Sequence, residues 1–268
     1  MSDFLHTMAQ ASAERAATAG PFTAAQLDKP VVPLGLGAFD VIAEIKDRSP
    51  AEGGLTGQGM DRATRARQYA EGGAAAISVL TEPSRFDGNL HHLEEVVAAV
   101  PDTPVMRKDF LVDHVQVLEA RSAGASGVLL IAAMLDDKQL RSMLDCAAEH
   151  GLFVLLESFD EQDLARSAGL LENPADRERA DAGQLLFGVN TRNLRTLHVD
   201  PERLVKLAPA LPAGRCVAES GLHSEADAAT VAGLGYRLAL VGTALMRSED
   251  PAELVAGMRT AGSARVSE

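Results

Sequence analysis

Short apolar, β-branched runs alternate with stretches of helical periodicity along almost the whole chain, and they do so eight times. The runs fall at 40–45, 74–81, 104–110, 127–132, 152–158, 186–191, 215–221 and 238–243. Amphipathic stretches follow them at 60–72, 90–100, 114–123, 137–150, 161–167, 201–208, 225–232 and 251–260. Strands that are apolar on both faces and separated by helices belong to a parallel sheet, because the crossover helices cover both faces. Eight such units predict a closed (β/α)₈ barrel rather than an open doubly wound sheet. No G-x-G-x-x-G follows the first run, which argues further against a dinucleotide-binding sheet. The length of 268 residues suits a barrel, which takes about 250.

The expected fold class is therefore α/β, a single (β/α)₈ or TIM barrel over 40–262 with an N-terminal extension at 1–39 and a frayed end at 263–268. Asp136, Asp160, Asp200 and Ser224 stand where helix N-caps are needed, and Gly72, Gly124, Gly151 and Gly233 where helices should stop. The Ala-rich stretch 9–19 predicts an extra helix across the barrel mouth or floor. The charged stretch 170–184, interrupted by Asn173-Pro174, reads as an extended surface connection.

Charge narrows the partners. With 38 acidic and 25 basic residues the net charge is -13, which repels nucleic acid and anionic lipid. An anionic substrate would need a local cluster of cations set against that field. No apolar run reaches the ~18 residues of a membrane span, and residues 1–17 lack the apolar core of a secretory signal. Neither nucleic acid nor membrane is expected as a partner, and the expected location is the cytoplasm. Cys146 and Cys216 make no C-x-x-C pair and read as small buried apolar residues. His91 and His92 are adjacent, about 100° apart on a helix, so no metal site is expected there. The sequence leaves a monomer and a weak homodimer both open.

In a barrel of this kind reactive side chains come from the C-terminal ends of several strands. Here those ends carry residues that packing would not select: Glu44 and Lys46 on the first, Lys108 and Phe110 on the third, Glu157 on the fifth, Asn190 and Arg192 on the sixth, Glu219 and Ser220 on the seventh. Residues two apart share a strand face, so Lys108 and Phe110 share one side and Arg107 and Asp109 the other. Convergence at one mouth would collect three cations and three carboxylates, whose mutual pKa shifts suit acid–base chemistry. Ser220-Gly221 and Gly242-Thr243 end the seventh and eighth runs, where this architecture binds phosphate on backbone N–H groups.

These segments carry a specific resemblance. Ile42-Ala43-Glu44-Ile45-Lys46 with Ser49-Pro50, P-V-M-R-K-D-F at 104–110, G-V-N-T-R-N-L at 188–194, A-E-S-G at 218–221 and L-V-G-T-A-L-M at 240–246 resemble the indole-3-glycerol phosphate synthase family, in order and spacing from about residue 40 to 251. The resemblance implies a sugar-phosphate substrate, 1-(2-carboxyphenylamino)-1-deoxyribulose 5-phosphate, closed to an indole with loss of carbon dioxide and water, and no cofactor. It implies that Lys108 is the general acid at the ketone oxygen. Glu157 resembles the group that stabilises positive charge and moves protons, and Glu44 a proton-transfer group in dehydration. Lys46 resembles the cation that binds carboxylate or phosphate, with a further role as acid. Asn190 and Arg192 resemble the pair that orients the ribulose chain and the anthranilate carboxylate. Glu219 and Ser220 resemble contacts to sugar hydroxyl and phosphate, Gly221, Gly242 and Thr243 the phosphate cradle. Ser49, Phe86, Phe110 and Leu129 resemble further substrate contacts, the last three as an apolar wall around the aromatic ring.

The chain departs from the family in places. Ser49-Pro50-Ala51-Glu52-Gly53 carries Glu52 where the family has Lys, Ser158-Phe159 follow Glu157, and Thr191 replaces Asn or Ser. The segment before the first strand is shorter or more diverged. Two other readings compete with this one. A phosphoribosylanthranilate isomerase would place a Cys at the end of the first strand, where Glu44 and Lys46 stand instead. A phosphate-binding barrel recruited as a non-catalytic partner would have no need of Lys108 and Glu157 together.

Overall fold

Every apolar strand run is covered on both faces, and that coverage closes the sheet on itself. The computed structural model describes residues 3–49, 53–54, 61–194 and 198–267. Eight parallel strands form a closed barrel: β1 (Asp40–Ile45), β2 (Ala76–Leu80), β3 (Val105–Lys108), β4 (Gly127–Ile131), β5 (Phe153–Ser158), β6 (Leu185–Asn190), β7 (Cys216–Glu219) and β8 (Leu238–Val241). Each pairs with its sequence neighbours, and β1 closes the ring by pairing with β8 through Ile42↔Leu240. All residues of these eight strands are buried except Lys108, which is partly exposed. The side chains alternate. Glu157 faces the barrel interior, whereas Ser158 bonds Ser167 in the helix outside at 3.2 Å.

The surrounding helices begin where short polar side chains can accept the free N–H groups of the first turn. Asp136 caps the helix Asp137–Glu149, Asp160 the helix Glu161–Gly169 and Ser224 the helix Glu225–Gly233, as the sequence predicts. Asp200 does not cap. It accepts from Glu202 N at 3.0 Å in a local turn, and the helix starts later, at Arg203–Leu207. Gly72 ends its helix as expected, followed by left-handed Gly73 (φ +80°), whereas Gly233 still lies in its helix and Gly235 (φ +105°) makes the turn.

Three expectations at the edges of the barrel need correction. The stretch 170–184 is not an extended connection. It holds a 3₁₀ turn (Leu170–Glu172) and the helix Pro174–Asp181, with Asn173 accepting from Ala175 N. Asn-Pro here is an N-cap followed by a proline whose missing N–H costs nothing in the first turn. The last helix runs from Pro251 to Val266, past the frayed end expected from 263, because Ser263 bonds Phe39 O at 3.3 Å and Gly262 lies on the Phe39 ring. The N-terminal helix is α1 (Asp3–Ala16) rather than 9–19, and it lies at the mouth. Its apolar stripe, not its alanines, docks it: Leu5 and Met8 are buried and Phe4 meets Phe110 edge-on at 5.9 Å.

On the outer face of β3, Arg107 and Asp109 tie this helix to the barrel. Asp109 accepts from Arg15 at 2.7 Å and from the Thr81 hydroxyl at 2.8 Å, and pairs with Arg107 at 3.2 Å. Gln116 reaches the Ser12 hydroxyl at 2.9 Å. Among the described residues no helix is long and apolar enough to cross a membrane.

Packing tightness makes a two-sided prediction. A Cβ on Gly72 would stand 2.5 Å from the carbonyl oxygen of Ala252 in the last helix, so Gly72→Ala should cost about 1–3 kcal/mol. Gly169, with helical φ −60° and open space around it, should gain about 0.4–1 kcal/mol as Gly169→Ala. Urea unfolding of the two variants checks both signs.

Candidate active site

The polar residues at the strand ends meet in one cavity of about 430 Å³ at the C-terminal mouth, a size typical of small-molecule sites. It is lined by Glu44, Lys46, Phe86, Lys108, Phe110, Leu129, Glu157, Asn190, Arg192, Ser220, Gly221, Gly242 and Thr243. Glu219 lies just beneath, fully buried, and is held to Lys108. Of the residues singled out from the sequence, only the Ser49 side chain and residues 50–52 lie outside the described residues.

At the centre is the Lys108 ammonium, reached by carboxylates from three other strands. Lys108 Nζ stands 3.2 Å from Glu219, 3.4 Å from Glu44 and 4.0 Å from Glu157. Glu44 is shared, its other oxygen lying 2.7 Å from Lys46 Nζ. Burial disfavours the charged amine, but Glu219, Glu44 and Glu157 together outweigh it and hold the Lys108 pKa above its ordinary value. Glu44 moves the other way. Burial opposes its charge, yet Lys46 and Lys108 keep its pKa below the ordinary value. Glu157 is the exception among the carboxylates. Burial and the charge of Glu219 push its pKa well up, against the pull of Lys108 and Asn190.

The barrel order sets two different walls on opposite sides of this cluster. From β2 to β4 and α1 come Phe4, Leu80, Phe86, Phe110, Leu129 and Ile131, with the Phe86 and Phe110 rings 6.2 Å apart. From β6 to β8 come the polar turns. Asn190 Oδ1 accepts from the Ser220 hydroxyl and from Arg192 N, both at 2.9 Å. Ser220 (φ +68°) and Gly221 (φ +74°) turn the chain sharply after β7. A left-handed serine is costly, by roughly 1–3 kcal/mol, and such strain tends to sit at functional sites. A short helix, Thr243–Arg247, starts at Gly242 directly after β8. Backbone N–H groups at such a start point along the helix axis and attract anions.

Some contributors escaped the sequence reading. Phe4 reaches the cavity from α1, and the spacing of Phe4, Leu5 and Met8 was its only signal. Arg203 pins the end of β6 by donating to the carbonyls of Asn190 and Thr191 at 3.1 and 2.8 Å; a surface helix start gave no hint of it. His91 and His92 point to different partners, His91 to Glu94 and Glu95 and His92 to Asp47. Among the described residues no cluster of three His, Cys, Asp or Glu side chains is arranged to hold a metal ion.

Comparison with known proteins agrees with this geometry. The closed barrel is similar to solved structures such as 3-hexulose-6-phosphate synthase from Salmonella typhimurium, with TM-score 0.63 and 18% identity over 85% of this chain and all of that one. Thiamine phosphate pyrophosphorylase from Pyrococcus furiosus superposes with TM-score 0.58 at 16% identity, covering 85% of this chain and 97% of that one. At such identities the likeness concerns the fold alone. Sequence similarity is closer to proteins named indole-3-glycerol phosphate synthase. That of a Nocardioides species is 49% identical over 212 residues, 79% of this chain and 76% of the relative. That of a Parafrankia species is 46% identical over 224 residues, 83% and 78% of the two chains, and that of Mycobacterium leprae 43%, covering 83% and 77%. The sequence model of the family described as indole-3-glycerol phosphate synthase matches residues 26–258. With that match spanning most of the barrel, the chain belongs to the indole-3-glycerol phosphate synthase family.

Proposed function

We propose that this chain converts 1-(2-carboxyphenylamino)-1-deoxyribulose 5-phosphate to indole-3-glycerol phosphate, acting as a carboxy-lyase in tryptophan biosynthesis in the cytoplasm. The observation that carries the reading is the Lys108 ammonium ringed by Glu219, Glu44 and Glu157 in a cavity with an apolar wall on one side and polar turns on the other.

The phosphate belongs at the turns after β7 and β8, with Ser220, Gly221, Gly242 and Thr243, and the aromatic ring between Phe86, Phe110 and Leu129. Lys46, Lys108 and Arg192 draw the anionic substrate in against the acidic exterior. Lys108 gives a proton to the ketone oxygen as the ring carbon bearing the carboxylate attacks the carbonyl carbon. The new carbon–carbon bond leaves positive charge on the anilino nitrogen, and the negative charge of the Glu157–Glu219 pair offsets it. Breaking the bond to the carboxylate returns an electron pair to the ring and releases carbon dioxide. A carboxylate against an apolar wall is poorly solvated, which assists that loss. Dehydration then takes a proton from the chain carbon next to nitrogen and gives one to the leaving hydroxyl. Glu44, kept ionised by its two lysines, is the base, and Lys46 the acid. Asn190 and Arg192 orient the chain and the carboxylate, and Ser49 adds a contact from the loop after β1. None of these steps calls on a cofactor.

The isomerase reading loses support, since Cys146 and Cys216 are buried and neither lines the cavity.

Adding substrate to the purified chain should produce indole-ring fluorescence, and no such product would overturn the reading. Lys108→Ala should lower kcat by about 10²–10⁴-fold, the range for a lost general acid, and turnover equal to the parent would remove Lys108 from that role. The pH profile supplies a second test. Lys108 stays charged across the neutral range, so it sets no alkaline limb. Glu157, with its raised pKa, gives up its proton at higher pH than an ordinary carboxyl. The alkaline fall of kcat/KM should therefore vanish in Glu157→Gln, while any limb from the substrate phosphate persists.

A further inference from the structure

Two interior positions of the barrel carry no side chain where charged groups of the site crowd. In β6, Gly188 lies level with Glu157 of β5 and two residues before Asn190, which lies level with Glu219 of β7. A Cβ built on Gly188 would overlap Glu219 Oε1 and come within 3.2 Å of Leu155. After β8, a Cβ on Gly242 would overlap Glu44 Oε1 and stand 2.8 Å from Lys46 Nζ. Glu219 and Glu44 are the two carboxylates nearest Lys108. Elsewhere in the barrel a bare position is filled by packing, as Gly127 is by the Phe153 ring.

Glycine inside a strand costs stability, since it loses more freedom on folding and packs nothing. Its place in β6 thus calls for a local reason. Glu219 is fully buried, and it must cross the barrel interior from β7 to reach Lys108 on β3. Its path passes over Gly188 on the way to Glu157.

We infer that Gly188 is a positioning residue: the missing methyl in the middle of β6 is what lets Glu219 lean across to set its carboxylate against both Lys108 and Glu157. The inference rests on the reaction proposed above. Alanine at this position would meet the far end of a flexible side chain, so the cheap response is for the Glu219 carboxylate to swing away while the barrel stays folded. The groups around Glu157 are Glu219 from β7, Asn190 from β6 and Lys108 from β3, with Glu44 of β1 beyond Lys108. Gly188→Ala removes only the first of these from its place.

The experiment is a cycle of Gly188→Ala, Glu219→Ala and the double variant, each followed by indole-ring fluorescence and thermal melting. Gly188→Ala should melt within a few degrees of the parent and lose about tenfold or more in kcat, with KM little changed. The double variant should turn over no more slowly than Glu219→Ala, because the two changes remove the same interaction. The alkaline limb of kcat/KM in Gly188→Ala should move to lower pH, since the Glu219 charge has left Glu157. If Gly188→Ala fails to fold, the double variant still decides, because its overlap is gone and its turnover must equal that of Glu219→Ala. Parental kcat in Gly188→Ala, or independent losses that multiply in the double variant, would overturn the inference. A parent that makes no indole product would instead sink the proposed reaction.

Discussion

A buried ammonium group is tolerable only if carboxylates replace the water it gives up, and that requirement organises this molecule. Desolvating each ion of such a cluster costs several kcal/mol. Lys108 recovers that cost from Glu219, Glu44 and Glu157, which reach it from β7, β1 and β5. No two of these partners are adjacent in the barrel, so the cluster exists only once the ring has closed. Nor is it free of internal conflict: burial and the nearby Glu219 push the Glu157 pKa well up. Buried ion clusters are weak contributors to stability, which is why this one is better understood as machinery than as a staple.

The rest of the fold holds the cluster still. Arg107 and Asp109 flank Lys108 on the opposite face of the same strand segment. Together with Thr81 and Arg15 they bind that segment to the neighbouring strand and to the N-terminal helix. Phe110 continues on the inner face and meets the Phe4 ring edge-on and the Phe86 ring at a tilt. The alternation of side chains along a strand thus divides the segment, with the Lys108 ammonium inside and its scaffold outside. Across the cavity, Arg203 fixes the end of β6 and Asn190 joins that end to Ser220.

The misjudged segments share a cause. Asn173-Pro174 reads as a break when considered alone, yet the same pair is a good helix start when apolar surface waits beside it, as Leu171 and Ala180 show by their burial. Residues 261–266 lack a strong pattern but continue the last helix because Phe39 receives it. Asp200 was an attractive cap by type, and its neighbour Pro201 leads into a turn instead. In each case the deciding partner is far away in sequence or depends on the local course of the chain.

By itself the sequence determined the eightfold alternation, hence the strand count and closure, because periodic burial is a local property that hydrophobic spacing records. It also determined which strand ends would bring polar groups to the mouth, since charged residues at positions that packing would leave apolar are visible without coordinates. Only the tertiary structure decided how those charges pair, that Glu44 is shared between two lysines while burial and Glu219 raise the Glu157 pKa, and that Phe4 of a distant helix joins the wall. Those outcomes depend on distances across the barrel and on desolvation, and neither exists until residues from opposite sides of the ring have been brought within a few ångströms.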